Sequence, residues 1–130
     1  MKKTSNFLGQ FFTKTSASKV NINVPIIEYQ EDEMFYAYCP PLDLIGYGLT
    51  ETEARESWET ILCEYLQYGL NKKTLFKDLE SRGWKIRKKH TVQPPAFSWM
   101  LQNYDELGEI YNNHNFKKSE QSVTMPLAYA

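Results

Sequence analysis

From Val20 the chain alternates. Val20, Ile22, Val24 and Ile26 share one side, while Asn21, Asn23 and Pro25 share the other. A period of two predicts a strand over Val20–Tyr29. Pro25 has no amide to give a ladder, so its nitrogen must face an edge or a bulge. Gln30-Glu31-Asp32-Glu33 reads as a polar turn, and alternation resumes over Met34–Cys39. There Phe35, Ala37 and Cys39 point one way and Tyr36 and Tyr38 the other. Two such runs joined by a short polar loop predict an antiparallel hairpin. Pro40-Pro41 ends the second run. A third, shorter strand is expected over Leu44–Gly48, where Gly46 and Gly48 permit a close backbone approach or a bulge.

At Thr50 the period changes. Thr50 is a good N-cap, Glu53 stands three residues on as in a capping box, and Glu51 and Glu53 suit the positive end of the helix dipole. Ala54, Trp58, Ile61, Leu62, Tyr65 and Leu66 recur at helical spacing, which predicts a helix over Thr50–Gly69 with one face on a sheet and Gly69 as its stop. A second, shorter helix is expected from a Thr74 cap, carrying Leu75, Phe76 and Leu79. Gly83 should take the left-handed position after it, with Trp84 folding back on Leu79. Trp84–Thr91 reads as a strand, and Pro94-Pro95 breaks the chain. A C-terminal helix is expected from Phe97 on the spacing of Met100, Leu101, Tyr104, Leu107 and Tyr111. Asn112 to Asn115 reads as a loop. A last edge strand is expected over Ser122–Ala128. Residues 1–19 read as a mobile arm, because Thr13–Lys19 is small and polar.

These elements describe an α+β protein: an antiparallel sheet of three to five strands, two helices on one face, then a C-terminal helix and an edge strand. A hydrophobic fraction of 42% supplies a core for one domain of this size. The net charge of −1 makes no whole-chain argument for nucleic acid. The charge is unevenly placed, however. Glu28 to Glu64 holds ten acidic residues and one basic residue, Arg55, whereas Lys72 to Lys89 holds eight basic and two acidic. The plain reading is two solvated faces of one domain, and the sharper one is two partner surfaces. Phe7, Leu8, Phe11 and Phe12 form too short and broken a cluster for a signal peptide, and no run suits a membrane span. A cytoplasmic protein with reduced thiols at Cys39 and Cys63 is expected.

Little in the sequence suggests catalysis. Glu28, Glu31, Asp32 and Glu33 are carboxylates, but three fall in one turn, whereas a two-metal site draws its ligands from separated elements. His90 and His114 lack partners at metal-ligand spacing. No phosphate loop, nucleophile elbow or dinucleotide fingerprint is present. No catalytic residue, metal or cofactor is assigned. Two surfaces remain as candidates. Arg82, Trp84, Lys85, Arg87, Lys88 and Lys89, running on to His90, could hold a phosphate backbone and stack a base, or could be a solvated strand edge around a buried tryptophan. Glu31, Asp32 and Glu33 could be an acidic partner surface.

Residues 28–66, about a third of the chain, carry a resemblance. The acidic turn and aromatic strand EDEMFYAYCP, followed by a glycine and GLTETEA running into a helix, resemble the HicB family, the antitoxins of HicA–HicB toxin–antitoxin pairs. The resemblance implies a partial RNase H-like fold without the nuclease carboxylates, over residues 20–91, with 92–130 as an extension packed on it. It implies a non-catalytic protein-binding module, a small basic HicA-type RNase as partner, and self-association into a dimer or larger. Where members of the family often carry P-D-x-P-G-C, this chain reads CPPLDLIGYG. Members usually end in a ribbon-helix-helix or helix-turn-helix unit. The Ser122–Ala128 pattern matches neither, so DNA binding stays open, as does an orphan oligomer without a toxin. The segment LFKDLESRGWKIRKKH also resembles the start of HicA but lacks its G-S-H, so no RNase activity is carried over.

Overall fold

The computed structural model describes residues 20–88 and 91–125. Its elements are β1 (Val20–Glu31), β2 (Met34–Cys39), β3 (Leu44–Gly48), α1 (Glu51–Lys72), α2 (Leu75–Ser81), β4 (Lys85–Lys88), β5 (Thr91–Gln93), α3 (Phe97–Asn103), α4 (Asp105–Asn113) and β6 (Phe116–Met125). The sheet is antiparallel, in the order β3-β2-β1-β6. The expected hairpin is present, with Ile27 opposite Tyr38 and Glu31 opposite Met34. β1 runs on to Glu31, because Asp32 alone takes the left-handed conformation that turns the chain, at φ 58. Aspartate tolerates that conformation better than most residues. Beyond Ile27 toward its start, β1 leaves β2 and pairs with β6 alone, so Pro25 stands opposite Glu120 with its bare nitrogen outside the β1–β2 ladder.

Both faces of the sheet are covered, and β1 shows how. Ile22, Val24 and Ile26 join Ala37, Cys39, Trp58, Leu62 and Leu66 in one core beneath α1, and Leu75 and Leu79 of α2 belong to it. Ile27 and Tyr29 take the opposite side, with Tyr38, Met100, Leu107 and Ile110. Adjacent isoleucines thus serve opposite cores, as strand alternation requires. The two helices expected on one face are α1 and α2. The tyrosine face, to which the sequence pattern assigned no cover, lies under α3 and α4.

α1 crosses β3 at backbone range. A Cβ on Gly46 would lie 2.3 Å from the Trp58 nitrogen and 2.6 Å from the Ala54 oxygen, and one on Gly48 would lie 2.5 Å from Glu53 Cβ. The glycines therefore permit the close approach, and β3 has no bulge in its register with β2. Side chains of the helix also take one amide of the strand's outer edge and one just past its end. The Tyr47 amide donates to Ser57 Oγ at 3.3 Å and the Leu49 amide to Glu53 Oε1 at 2.9 Å. Thr50 is the N-cap expected, accepting from the Glu53 amide at 3.1 Å. The Glu53 carboxylate reaches one residue further back than a capping box would place it.

Several expectations need correction, among them the Asn112–Asn115 loop, whose first two residues end α4. Gly69 does not stop α1. It is buried inside the helix, where a Cβ would come within 3.1 Å of Leu75, and the chain turns at Lys73, which takes φ 57. Thr74 precedes α2, but its side chain makes no capping hydrogen bond. Trp84–Thr91 is not one strand: the chain doubles back as a small β4–β5 hairpin with Ile86 opposite Val92 and an irregularity before Lys88. The single C-terminal helix is two, parted at Tyr104, whose backbone is extended (φ −111, ψ 108) and whose hydroxyl donates to the Arg82 carbonyl at 2.6 Å.

The last strand starts six residues earlier than the alternation suggests, at Phe116, and pairs with β1 from Tyr29–Phe116 to Val20–Met125. Lys117 to Glu120 are exposed on both faces of this edge, so the stretch shows no hydrophobic period. The expected residues 126–128 lie outside the described residues, as does the 1–19 arm. The end of α2 is as expected. Gly83 takes φ 96, and the Trp84 amide donates back to the Leu79 carbonyl at 3.1 Å.

Candidate functional site

Antiparallel pairing gathers one set of chain segments at one end of the sheet. Phe35 stands opposite Gly48, and Tyr29 opposite Phe116. The hairpin tip, the entry to α1, the end of α4 and the start of β6 therefore lie together. Glu31, Asp32, Glu33, Glu51 and Glu53 are all exposed there. Beside them opens a cleft of about 440 Å³, lined in part by Glu28, Tyr29, Tyr36, Glu51, His114 and Lys117.

Glu28 sits apart from the other three carboxylates of its group. It is 8% exposed and lies under α1, where Oε2 accepts from Arg55 Nη2 at 2.6 Å and Nε at 2.8 Å. Its other oxygen is 3.6 Å from Lys117 Nζ, which also reaches Glu51 at 3.4 Å. A carboxylate this buried is tolerated when paired and hydrogen-bonded, and Arg55 supplies both. The lone basic residue of the acidic stretch was the signal for this pair in the sequence. Tyr29 stacks on Tyr36 with ring centroids 5.1 Å apart. Burial, reinforced by the charge of Glu106, pushes the Tyr29 hydroxyl up to about 12, so it stays a neutral donor at physiological pH. The cleft offers charge, hydrogen bonds and aromatic surface, which are means of binding.

At the other end Arg82 is central. It is 3.0 Å from Asp78 and 3.7 Å from Asp43, and Asp78 also accepts from the Tyr65 hydroxyl. Through the Tyr104 bond to its carbonyl, Arg82 ties α1 and α2 to the helices of the opposite face. Burial works to raise the Asp78 carboxyl, but the hydrogen bonds from Tyr65 and Arg82 outweigh it and hold the group below its usual value. A depressed carboxylate stabilises the fold above its unfolded pKa, and that stability is lost as pH falls through the lower folded value. Asp78→Asn is expected to cost about 0.5–1 kcal/mol at neutral pH, since the group is partly solvated, and less as the solution is acidified. Urea titrations at neutral and acid pH would measure both.

The basic strip is divided by the fold. Arg82 is engaged as above. Trp84 is 3% exposed, and its indole donates to the Pro41 carbonyl at 2.8 Å, so the ring is packed in the core. Lys85 and Arg87 are exposed on β4 and Lys88 ends that strand, while Lys89 and His90 lie outside the described residues. His114 is 3.6 Å from Glu109 and packs on Tyr29. Cys39 and Cys63 are free, buried thiols, and burial pushes the Cys39 thiol well above its ordinary value. Among the described residues no group of three histidine, cysteine, aspartate or glutamate side chains is placed to hold a metal ion, and no helix is long and apolar enough to cross a membrane.

No family model matches the chain, and no curated protein or solved structure matches it either.

Proposed function

We propose that the chain is a non-catalytic, cytoplasmic protein-binding module of the HicB type, with that family's partial RNase H-like fold, acting as the antitoxin of a small basic HicA-type RNase. The observation that supports this most is the acidic end of the sheet. Glu31, Asp32 and Glu33 project at the hairpin tip beside Glu51 and Glu53, and all five are exposed. Arg55 pairs with Glu28, and Lys117 with Glu28 and Glu51. A compact anionic surface steers a cationic partner and speeds encounter. Docked here, the module would cover the catalytic histidine of the RNase.

Co-expression with a HicA-type RNase encoded beside this gene tests the reading. Copurification and rescue of growth are expected, and the absence of both would sink it. Replacing Glu31, Asp32 and Glu33 together by lysine is expected to slow association about ten- to a hundredfold at low salt, with the deficit shrinking as salt is added. Stopped-flow or surface plasmon resonance would read that rate.

A further inference from the structure

One level of the sheet is aromatic from edge to edge. Phe116, Tyr29, Tyr36 and Tyr47 stand opposite one another in turn across β6, β1, β2 and β3, so all four share the face that carries α3 and α4. Exposure rises along this row. Tyr29 is 8% exposed and packs on His114, Tyr36 is half-buried, and Tyr47 is 59% exposed on the edge strand. The charge around the row is negative. Glu31 lies two residues beyond Tyr29 on β1, hence on the same face, and Glu106 and Glu109 are exposed on α4. After burial, the charges of Glu106, Glu31 and Glu109 act to raise the Tyr29 hydroxyl, and those of Asp43 and Glu106 act likewise on Tyr38. Tyr36 therefore has Glu31 toward the hairpin tip and Glu106 toward Tyr38. Among the described residues no ion pair engages Glu31 or Glu106, and the lysines and arginines that lie over rings use Tyr65, Tyr68 and Phe97. Past Tyr38 the face runs into a cleft of about 450 Å³ lined in part by Asp43, Asp105 and Glu106, where Arg82 is held by Asp78.

We propose that the Tyr36–Tyr47 half of this face binds an arginine side chain of a basic protein segment, the guanidinium lying against the two rings with Glu31 and Glu106 as its counter-ions. Arginine suits the place better than lysine. Its planar, weakly hydrated guanidinium stacks on a ring and keeps its N–H groups in plane for carboxylates. A nucleic-acid base could stack there too, but its phosphates would meet Glu31, Glu106 and Glu109. The site goes beyond the antitoxin reading, since it lies on the face opposite α1 and requires no RNase.

The full chain can be titrated at low salt with a capped Gly-Arg-Gly-Arg-Gly peptide and with its lysine counterpart, with binding followed by aromatic NMR signals. The Tyr36 and Tyr47 ring signals should move, and the arginine peptide should bind about fivefold or more tightly than the lysine one. Tyr47→Leu, which keeps an apolar side chain on an exposed position, should weaken the arginine peptide about three- to tenfold. Glu106→Gln should do the same, whereas Glu51→Gln, an equal loss of charge on the α1 face, should change it by about twofold at most. Ring signals that stay still overturn the proposal. So do equal affinities for the two peptides, or equal losses from Glu106→Gln and Glu51→Gln, either of which would mean diffuse attraction to an acidic protein. A single-stranded oligonucleotide that shifts the Tyr47 ring more tightly than the peptide also overturns it. Co-expression with the RNase plays no part in these outcomes, so the two readings fail separately.

Discussion

Gly46→Ala is expected to cost about 3 kcal/mol or more, a large effect for one methyl group. The added carbon would lie 2.3 Å from the Trp58 nitrogen and 2.7 Å from its Cα, with the Ala54 oxygen at 2.6 Å. All three are backbone atoms of α1, so no side-chain rotation relieves the clash. The helix must lift off β3, and Trp58, Leu62 and Leu66 move with it. These side chains lie in the core and are at most 1% exposed. Urea unfolding should show a fall in midpoint, with an unfolded or molten chain as the extreme result. Gly108→Ala is the contrasting change. There the nearest atom is 3.6 Å away, within ordinary contact, and the residue is inside α4. Alanine should gain up to about 1 kcal/mol from helix propensity. Equal, small effects at both positions would show that α1 does not lie on β3 as described.

The same two glycines mark where sequence reading succeeds. A five-residue strand with glycine at its second-last inward position and at its end signals something pressed against it, and the amphipathic run after Thr50 supplies that element. The hairpin, β3 and the α1 cap were legible for similar reasons: each is written in local pattern, turn chemistry or a cap. The rest depends on long-range pairing. Phe116–Gln121 has no period because Lys117 to Glu120 face water on both sides of an edge, so only β1, some ninety residues away, reveals it as a strand. Tyr36 and Tyr38 read as one side of β2, but polar-tipped rings suit solvent and core alike. Only Met100, Leu107 and Ile110 show that this side is covered. In the candidate site, Glu31, Asp32 and Glu33 lie at the tip as their spacing implies. Glu28, three residues earlier on β1, turns under α1 to Arg55, a pairing hinted at only by Arg55 being the lone basic residue of the acidic stretch.

Trp84 gives the second large effect and separates two readings of the basic strip. Its ring is buried with Leu79, Leu75 and Leu42, all at most 1% exposed, and its indole bonds the Pro41 carbonyl at 2.8 Å. That bond joins the turn after α2 to the bend between β2 and β3. Trp84→Ala should therefore cost about 3–5 kcal/mol, the usual range for emptying a buried tryptophan site. Trp84→Phe keeps most of the ring but strands the carbonyl, at about 1–3 kcal/mol. Lys85→Glu with Arg87→Glu, both on exposed positions of β4, should change stability by less than about 0.5 kcal/mol each. A base-stacking residue would behave in the opposite way: its truncation would spare the fold and weaken nucleic-acid binding by about 1–3 kcal/mol. Urea titration of the three variants, with a salt-dependent gel shift on each that remains folded, distinguishes the two. A stable Trp84→Ala protein that loses affinity for single strands would return the strip to nucleic acid. A destabilised one leaves Lys85 and Arg87 as solvated charges on a hairpin held in place by the tryptophan beneath them.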